Sequence, residues 1–158
     1  MELLASLAAW FDGLGLRAFA GGDNYPWINT VHLLGLVMGV GAIGMLDLRF
    51  AGLWRSIPIE PLVRALTPIA ITGFTILIAS GVLLFAADGA ALAGSGTFRT
   101  KLLLITLALA NAGAFRLIYG RRLALWESTP PALGRAMGLA SIALWLSVGF
   151  CGRMIAYS

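Results

Sequence analysis

A single histidine, His32, stands in an apolar run that reads PWINTVHLLGLVMGVGAIGMLDLRF over residues 26–50. Gly35, Gly39 and Ala42 follow it at i+3, i+7 and i+10 and would lie close to its face of a helix. An imidazole above small residues suits a flat macrocycle, because it offers a nitrogen to iron and leaves the ring's place free of side chains. The pattern indicates His32, Gly35 and Gly39 as a haem-binding set.

A simpler interpretation of the same residues stays open. Gly35-xxx-Gly39 is also a helix-packing motif that needs no ligand. A lone histidine in an apolar helix also satisfies itself by hydrogen bonding to a neighbouring hydroxyl or carbonyl group.

Cations and a thioether are predicted at the depth of His32. The third apolar run opens with TFRTKLLL, which contains Arg99 and Lys101, and the fourth ends in CGRMIAYS, which contains Arg153 and Met154. Three cations around one imidazole would pair with two haem propionates, although each of them alone could reach lipid phosphate instead. Met154, or His32 of a symmetry-related copy, is a candidate sixth ligand.

The only acid inside this first run is Asp47, 15 residues after His32. This separation is about 22 Å along a helix, so the two cannot share a metal within one helix. Because a lone carboxylate in lipid is costly, we expect Asp47 to pair with one of three arginines: Arg49, Arg116 or Arg121. Asn111 and Thr106 are predicted to form an interhelical hydrogen-bonding pair.

The composition indicates a membrane protein. The 158 residues are 59% hydrophobic and only 11% charged, and the mean hydropathy is +0.91, whereas about a quarter of the residues in soluble domains are charged. Four apolar runs, at about 26–53, 62–87, 98–119 and 133–157, are each long enough to cross a bilayer. We therefore predict an all-α, integral membrane four-helix bundle over residues 23–158.

Local signals place the ends of the runs. Asp23 or Asn24 is a candidate N-cap before Pro26. RSIPIEP, ADGAALAGSGT and ESTPPALG are predicted loops, and Pro68 and Gly73 predict a kink in the second run.

Residues 1–22 are too interrupted by charge for a fifth span and have no basic start typical of a cleaved signal peptide. Apolar side chains recur in them at helical spacing: Leu3, Leu7, Trp10, Phe11 and Leu14. We predict an amphipathic helix that lies in the membrane interface.

The basic residues predict the orientation of the chain. More of them flank the loops between runs one and two and between runs three and four than the opposite ends, which favours loops in the cytoplasm and both termini in the periplasm of a bacterial inner membrane. The net charge of +4 follows from this pattern of anchors, so we exclude nucleic acid as a partner.

Other chemistries lack a pattern in the sequence. No spacing of Cys, His, Asp and Glu suits zinc or an iron–sulfur cluster, and no Ser-His-Asp set or phosphate loop is present. One cysteine, Cys151, cannot form an internal disulfide. Whether the protein is an enzyme stays open.

Two stretches, HLLGLVMGVGAIGMLDLRFAGL and FRTKLLLITLALANAGAFR, carry a resemblance over residues 26–120. They resemble an uncharacterised family of bacterial four-helix membrane proteins with a helix-one histidine, a D-L-R-x-x-G exit and an F-R-x-K start to helix three. More distantly they are similar to HemJ-type protoporphyrinogen oxidases and CopD-like membrane domains. HemJ-type proteins bind haem b, which implies His32 as a ligand and Lys101 as a nearby cation. Related sequences often carry another histidine near the end of helix three, where this chain reads NAGAFRLIYG, with Arg116 and no histidine.

Three hypotheses follow. The first is a haem-b-binding electron-transfer or redox subunit at the periplasmic side, in a homo-oligomer or a larger membrane complex. The second is a cofactor-free structural or assembly subunit whose glycine faces pack. The third is copper handling, because sulfur and imidazole suit Cu(I), with four candidate ligands: His32, Met154, Met38 and Met45.

Overall fold

The computed structural model describes residues 2–120 and 130–157, and the secondary structure of this part is helical throughout. Two short helices, α1 (Glu2–Gly13) and α2 (Leu16–Ala20), lead through a 3-10 turn (Gly22–Asn24) into α3 (Tyr25–Ala51). Three long helices follow, α4 (Ile59–Gly94), α5 (Gly96–Tyr119) and α6 (Ala132–Met154), and a 3-10 turn (Ile155–Tyr157) ends the described chain.

Helices α3 to α6 are long and apolar enough to cross a membrane. Even α6, the shortest of the four with 23 residues, is about 35 Å long at the usual rise, which exceeds the roughly 30 Å of a hydrocarbon core. The prediction of an all-α bundle with four membrane-length helices is therefore confirmed.

Helix α4 is longer than predicted. It has 36 residues and ends at Gly94. The Ala-rich stretch that was predicted as a loop has high helix propensity, and Gly89 within it lies against Ala8 of α1. Only Ser95 separates α4 from α5. The backbone leaves helical dihedral angles at Asp88 (φ −121°, ψ 22°) rather than at Pro68 or Gly73.

The ends of α3 are set by short-range chemistry. Asn24 is the N-cap and Pro26 stands in the first turn, as predicted, but the Asn24 amide donates to the Phe19 carbonyl oxygen instead of capping the helix. The helix ends at Gly52, whose φ of 106° is in the left-handed region that glycine adopts without strain.

Helix α3 is the centre of the bundle, because it packs against both α4 and α6. Helix α5 packs against α6, whereas α4 and α5, although consecutive, make little direct contact. The spatial order is therefore α4, α3, α6, α5, and the bundle is least closed between its first and last members. We call the end with the α3–α4 turn (residues 52–58) the arginine end and the opposite end the histidine end.

Two apolar clusters hold the helices together. One, at the arginine end, is built from Leu46, Phe50, Ile59 and Tyr119. The other joins Ala108 of α5 to Trp145 and Val148 of α6. Most other large apolar side chains are exposed on the outside of the bundle, where a bilayer would cover them.

The α3–α4 turn is held by arginines that bind main-chain oxygens. The Arg49 side chain is 1% exposed, and its Nε donates to the Ile57 carbonyl oxygen at 2.8 Å and its Nη2 to that of Arg55 at 3.4 Å. From α6, Arg135 Nε donates to the Ala51 carbonyl oxygen at 3.1 Å. These bonds satisfy the carbonyl groups that a helix end and a turn leave without partners.

The N-terminal segment is helical in two pieces, because Gly15 interrupts it with a φ of 73°. Ala8 and Phe11 of α1 contact Gly89 and Phe85 of α4, so the segment lies against the histidine end. Its location in a membrane interface stays a prediction. Leu3, Leu7 and Trp10 are exposed, as an interfacial helix requires.

Candidate functional site

His32 is half-buried on α3 and faces α4. Its Nδ1 lies 2.9 Å from Oγ of Ser80, a residue that is only 4% exposed. The ring also contacts Gly81, since a Cβ atom on that glycine would lie 3.4 Å from His32 Cε1. A serine-glycine pair on α4 therefore fixes the position of the imidazole.

The hydrogen bonds of Ser80 assign the proton on the imidazole. The Ser80 hydroxyl donates to the Ile76 carbonyl oxygen at 2.5 Å, so its oxygen is left to accept the bond from Nδ1–H of His32. A neutral imidazole with its proton on Nδ1 has a lone pair on Nε2. The arrangement leaves Nε2 as the atom that can bind a metal or accept a proton.

Lys101 of α5 is the one predicted cation that the structure brings near His32. It is half-buried, close enough to the ring for an electrostatic interaction, and its Nζ lies 3.4 Å from the position of a Cβ on Gly152. The neighbouring residue Cys151 is also within electrostatic range of the ammonium group. Groups from all four long helices thus meet at this level.

The two remaining predicted cations, Arg99 and Arg153, have described contacts with groups other than His32. Arg99 is exposed and its Nε donates to the Ser95 carbonyl oxygen at 3.4 Å. Arg153 is exposed, donates to the Tyr157 hydroxyl and covers that ring with its guanidinium at 5.0 Å. Met154 is 38% exposed. In the described part of the chain, no hydrogen bond or ring contact joins these three side chains to His32.

Gly35 and Gly39 lie at the contact between α3 and α4. A Cβ on Gly35 would lie 2.9 Å from Ile76 Cγ2 and 3.0 Å from the Gly73 carbonyl oxygen. A Cβ on Gly73 would overlap the backbone of Gly39. The face that the sequence suggested for a flat ring is therefore filled by α4, and the helix-packing interpretation describes these two glycines.

Asp47 does not form the predicted ion pair with Arg49 or Arg116. Within residues 2–120 and 130–157 the carboxylate has no salt bridge, and Arg121 lies outside those residues. Nε and Nη2 of Arg49 are directed to main-chain oxygens of the α3–α4 turn, and its Nη1 has no hydrogen-bond partner among the described residues. Asp47 is instead 8% exposed and hydrogen-bonded to the Ser141 side chain of α6.

Asn111 forms an interhelical bond, but not with Thr106. Its Nδ2 donates to the Met137 carbonyl oxygen of α6 at 3.0 Å. The Thr106 hydroxyl donates within its own helix, to the Leu102 carbonyl oxygen at 2.9 Å. The prediction was right for the amide and wrong for its partner.

Sequence reasoning missed Ser80 and Ser141, the hydroxyl partners of His32 and Asp47. The signal available was a polar residue inside an apolar run, and both serines are 4% exposed. The sequence gives no means of matching each hydroxyl to its partner, because both pairs join residues of different helices.

The described part of the chain brings together no group of three or more His, Cys, Asp or Glu side chains. Comparisons with family models, with curated proteins and with solved structures find no match for this chain.

Proposed function

We propose that the protein is a haem-b-binding integral membrane subunit that transfers electrons, in which His32 would hold the haem iron through Nε2. The observation that supports this most is the bond between His32 Nδ1 and Ser80 Oγ, at 2.9 Å. Metal-binding histidines usually donate their second ring N–H to a fixed acceptor, which sets the tautomer and the ring orientation.

Lys101 adds a second supporting feature. A half-buried ammonium group within electrostatic range of the imidazole suits a haem propionate, because charge-assisted bonds between ammonium and carboxylate groups are strong where water is excluded. The sequence resemblance to HemJ-type proteins implies the same two residues.

The fit of the site to haem is partial. The imidazole and the ammonium group fit, whereas Gly35 and Gly39 are used by α4 and offer no face to a ring. A bound haem would supply one-electron transfer. Two residues of the chain would support it: Ser80 orients the imidazole, and Lys101 balances the charge of a propionate.

The proposal includes a location. We propose a bacterial inner membrane, with the arginine end in the cytoplasm, because Arg49, Arg55 and Arg64 lie at that end. His32 would then lie on the periplasmic side. A single small bundle needs an electron donor and an acceptor, so the proposed setting is a homo-oligomer or a larger membrane complex.

A second candidate is a cofactor-free structural or assembly subunit. The close contact of Gly35 and Gly39 with Gly73 favours it, since this contact explains the glycine pattern without any ligand. In that case the bond from His32 to Ser80 would serve only to join α3 to α4.

A visible spectrum of the purified protein, reduced and oxidised, with metal analysis, separates the candidates. The haem proposal predicts a reducible Soret band that disappears in His32→Ala and persists in Asn29→Ala, a control at an exposed polar residue of the same helix. A colourless, well-expressed protein that does not take up added haem would contradict it and favour the structural subunit. Bound copper without a Soret band would favour copper handling.

A further inference from the structure

A second polar site lies at the arginine end of the bundle. A cavity of about 970 Å³ is lined there by residues of all four long helices, among them Asp47 of α3, Thr67 of α4, Asn111 of α5 and Ser141 of α6. This volume is in the range of small-molecule binding sites. The cavity includes neither His32 nor Lys101 in its lining.

Asp47 is one of two buried side chains in the described part of the chain with a polar atom that lacks a hydrogen-bond partner; the other is Arg49, at Nη1. Asp47 is 8% exposed, and Ser141 provides it with one side-chain hydrogen bond. Among the described residues, its Oδ2 has no hydrogen-bond partner. A carboxylate oxygen without a partner is costly inside a membrane bundle, so it is a strong candidate for binding a ligand.

The cavity has a route to the bilayer. Its lining includes Val63 and Thr67 on α4 and Ala112 and Phe115 on α5, and these two helices make little direct contact with each other. In a membrane, the space between two such helices faces acyl chains. A ligand that enters here is therefore lipophilic.

The lining also restricts the charge and shape of the ligand. Phe50 and Phe115, whose rings lie 4.7 Å apart from centroid to centroid, are both part of the lining, so one section of the cavity wall is aromatic. Arg116 lines the same cavity as Asp47. Because the lining contains one cation and one carboxylate, it matches neither sign of charge as a whole, which favours a neutral ligand that forms hydrogen bonds.

We propose that this cavity binds a lipophilic hydroquinone-type ring whose phenolic hydroxyl donates a hydrogen bond to the Asp47 carboxylate. One carboxylate oxygen keeps the bond from Ser141, and the other accepts from the ligand. The torsion that turns the carboxylate has broad, shallow minima, so presenting an oxygen to the cavity costs little. The proposal concerns binding alone and does not depend on haem.

Binding is tested with the purified full-length protein in detergent, by calorimetry and equilibrium dialysis. The probe is a hydroquinone with a short alkyl tail, and its dimethyl ether is the matched ligand that lacks the donors. We expect the ether to bind at least about tenfold more weakly, because a hydrogen bond to a charged group discriminates by about that factor.

Two variants test the location of the site. Asp47→Asn keeps the size of the side chain and an oxygen for Ser141, but presents an amide donor to the ligand, so we expect about tenfold weaker hydroquinone binding. Ala112→Phe places a ring in the lining between α4 and α5 and should weaken binding. Ala110→Phe, at an exposed residue of α5 outside the lining, is the matched control and should bind as the unaltered protein does.

Equal affinity for the hydroquinone and its ether, or unaltered binding in Ala112→Phe, would overturn the proposal. So would displacement of the hydroquinone by an alkylammonium ion that binds more tightly, because that result would assign the cavity to cations. If Asp47→Asn fails to fold, the ether and the Ala112→Phe variant decide the outcome. None of these measurements needs haem, so a failure here is distinct from a failure of the haem proposal.

Discussion

Nδ1 of His32 lies 2.9 Å from Oγ of Ser80, a residue 48 positions later in the chain. Because the Ser80 hydroxyl proton is directed to the Ile76 carbonyl oxygen, the serine accepts from the imidazole and leaves Nε2 unprotonated. One hydroxyl group on α4 thus joins two helices and sets the chemical character of the only histidine.

Removing the Ser80 hydroxyl tests this role. We expect Ser80→Ala to lower the free energy of unfolding by about 1 kcal/mol, the usual net contribution of such a hydrogen bond. Under the haem proposal it should also weaken haem binding by roughly tenfold to a hundredfold, because the imidazole loses its fixed orientation. Thermal unfolding in detergent and haem titration measure the two effects.

The matched control is Thr75→Val, which removes a hydroxyl that donates only within α4, to the Ile71 carbonyl oxygen. If Ser80→Ala and Thr75→Val change stability and haem affinity equally, Ser80 has no special relation to His32.

The contact between α3 and α4 depends on Gly35, Gly39 and Gly73. Gly73→Ala should be strongly destabilising, by about 3 kcal/mol or more, since its methyl group would overlap the backbone of Gly39 and force the helices apart. Thermal unfolding of the purified protein measures the loss.

Gly41→Ala is the control for this prediction, because a Cβ on Gly41 meets no atom of the described chain within 4 Å. It should be neutral or stabilising by up to about 1 kcal/mol, as expected when alanine replaces glycine inside a helix. A stable Gly73→Ala variant would mean that the helices do not approach as closely as described.

Arg49 is expected to stabilise the α3–α4 turn and not to serve Asp47. Arg49→Met removes charge-assisted bonds to the Ile57 and Arg55 carbonyl oxygens and should cost about 2–4 kcal/mol of unfolding free energy. Arg64→Met should change stability by less than about 0.5 kcal/mol, because Arg64 is exposed and its bond to Glu60 is a surface ion pair. Chemical unfolding curves measure both, and equal effects of the two substitutions would argue against a special role for Arg49.

The Asn111 amide is expected to hold α5 against α6. Asn111→Ala should reduce stability by roughly 0.5–1.5 kcal/mol, the range found for interhelical hydrogen bonds in membranes, because the Met137 carbonyl oxygen loses the Nδ2 donor. Thr106→Val is the control, since Thr106 donates within its own helix and is exposed. A larger loss in Thr106→Val than in Asn111→Ala would contradict the assignment.

The membrane-length helices could be predicted from the sequence because their signal is local. Apolar runs of sufficient length define each span, and Pro26 and Gly52 mark the ends of α3 through their own backbone preferences. The end of α4 could not be predicted, because the glycines after Ala87 favour a loop while the alanines favour a helix, and the packing of α1 against Gly89 is a contact between helices that the sequence does not show.

The contacts of the candidate site could not be predicted, because they join residues of different helices and depend on how the whole bundle packs. The spacing of Gly35 and Gly39 suits both a cofactor face and a helix contact, and Gly73 on a different helix decides between them in this structure. In the same way, Asp47 stands two residues before Arg49, which suggested an ion pair. The Arg49 guanidinium instead donates to a main-chain oxygen of the α3–α4 turn, and the Asp47 carboxylate is hydrogen-bonded to Ser141. The proximity of Lys101 to His32 could be predicted, because the depth of a residue in a membrane helix follows from the rise per residue alone.

Nitrogen-15 NMR of protein labelled at histidine tests the central claim most directly, because the single His32 gives signals that need no further assignment. The predicted result is a protonated Nδ1 and an unprotonated Nε2 in the haem-free protein, followed by loss or a large shift of the Nε2 signal when haem is added. A protonated Nε2, or ring signals that stay unchanged with haem, would contradict the account.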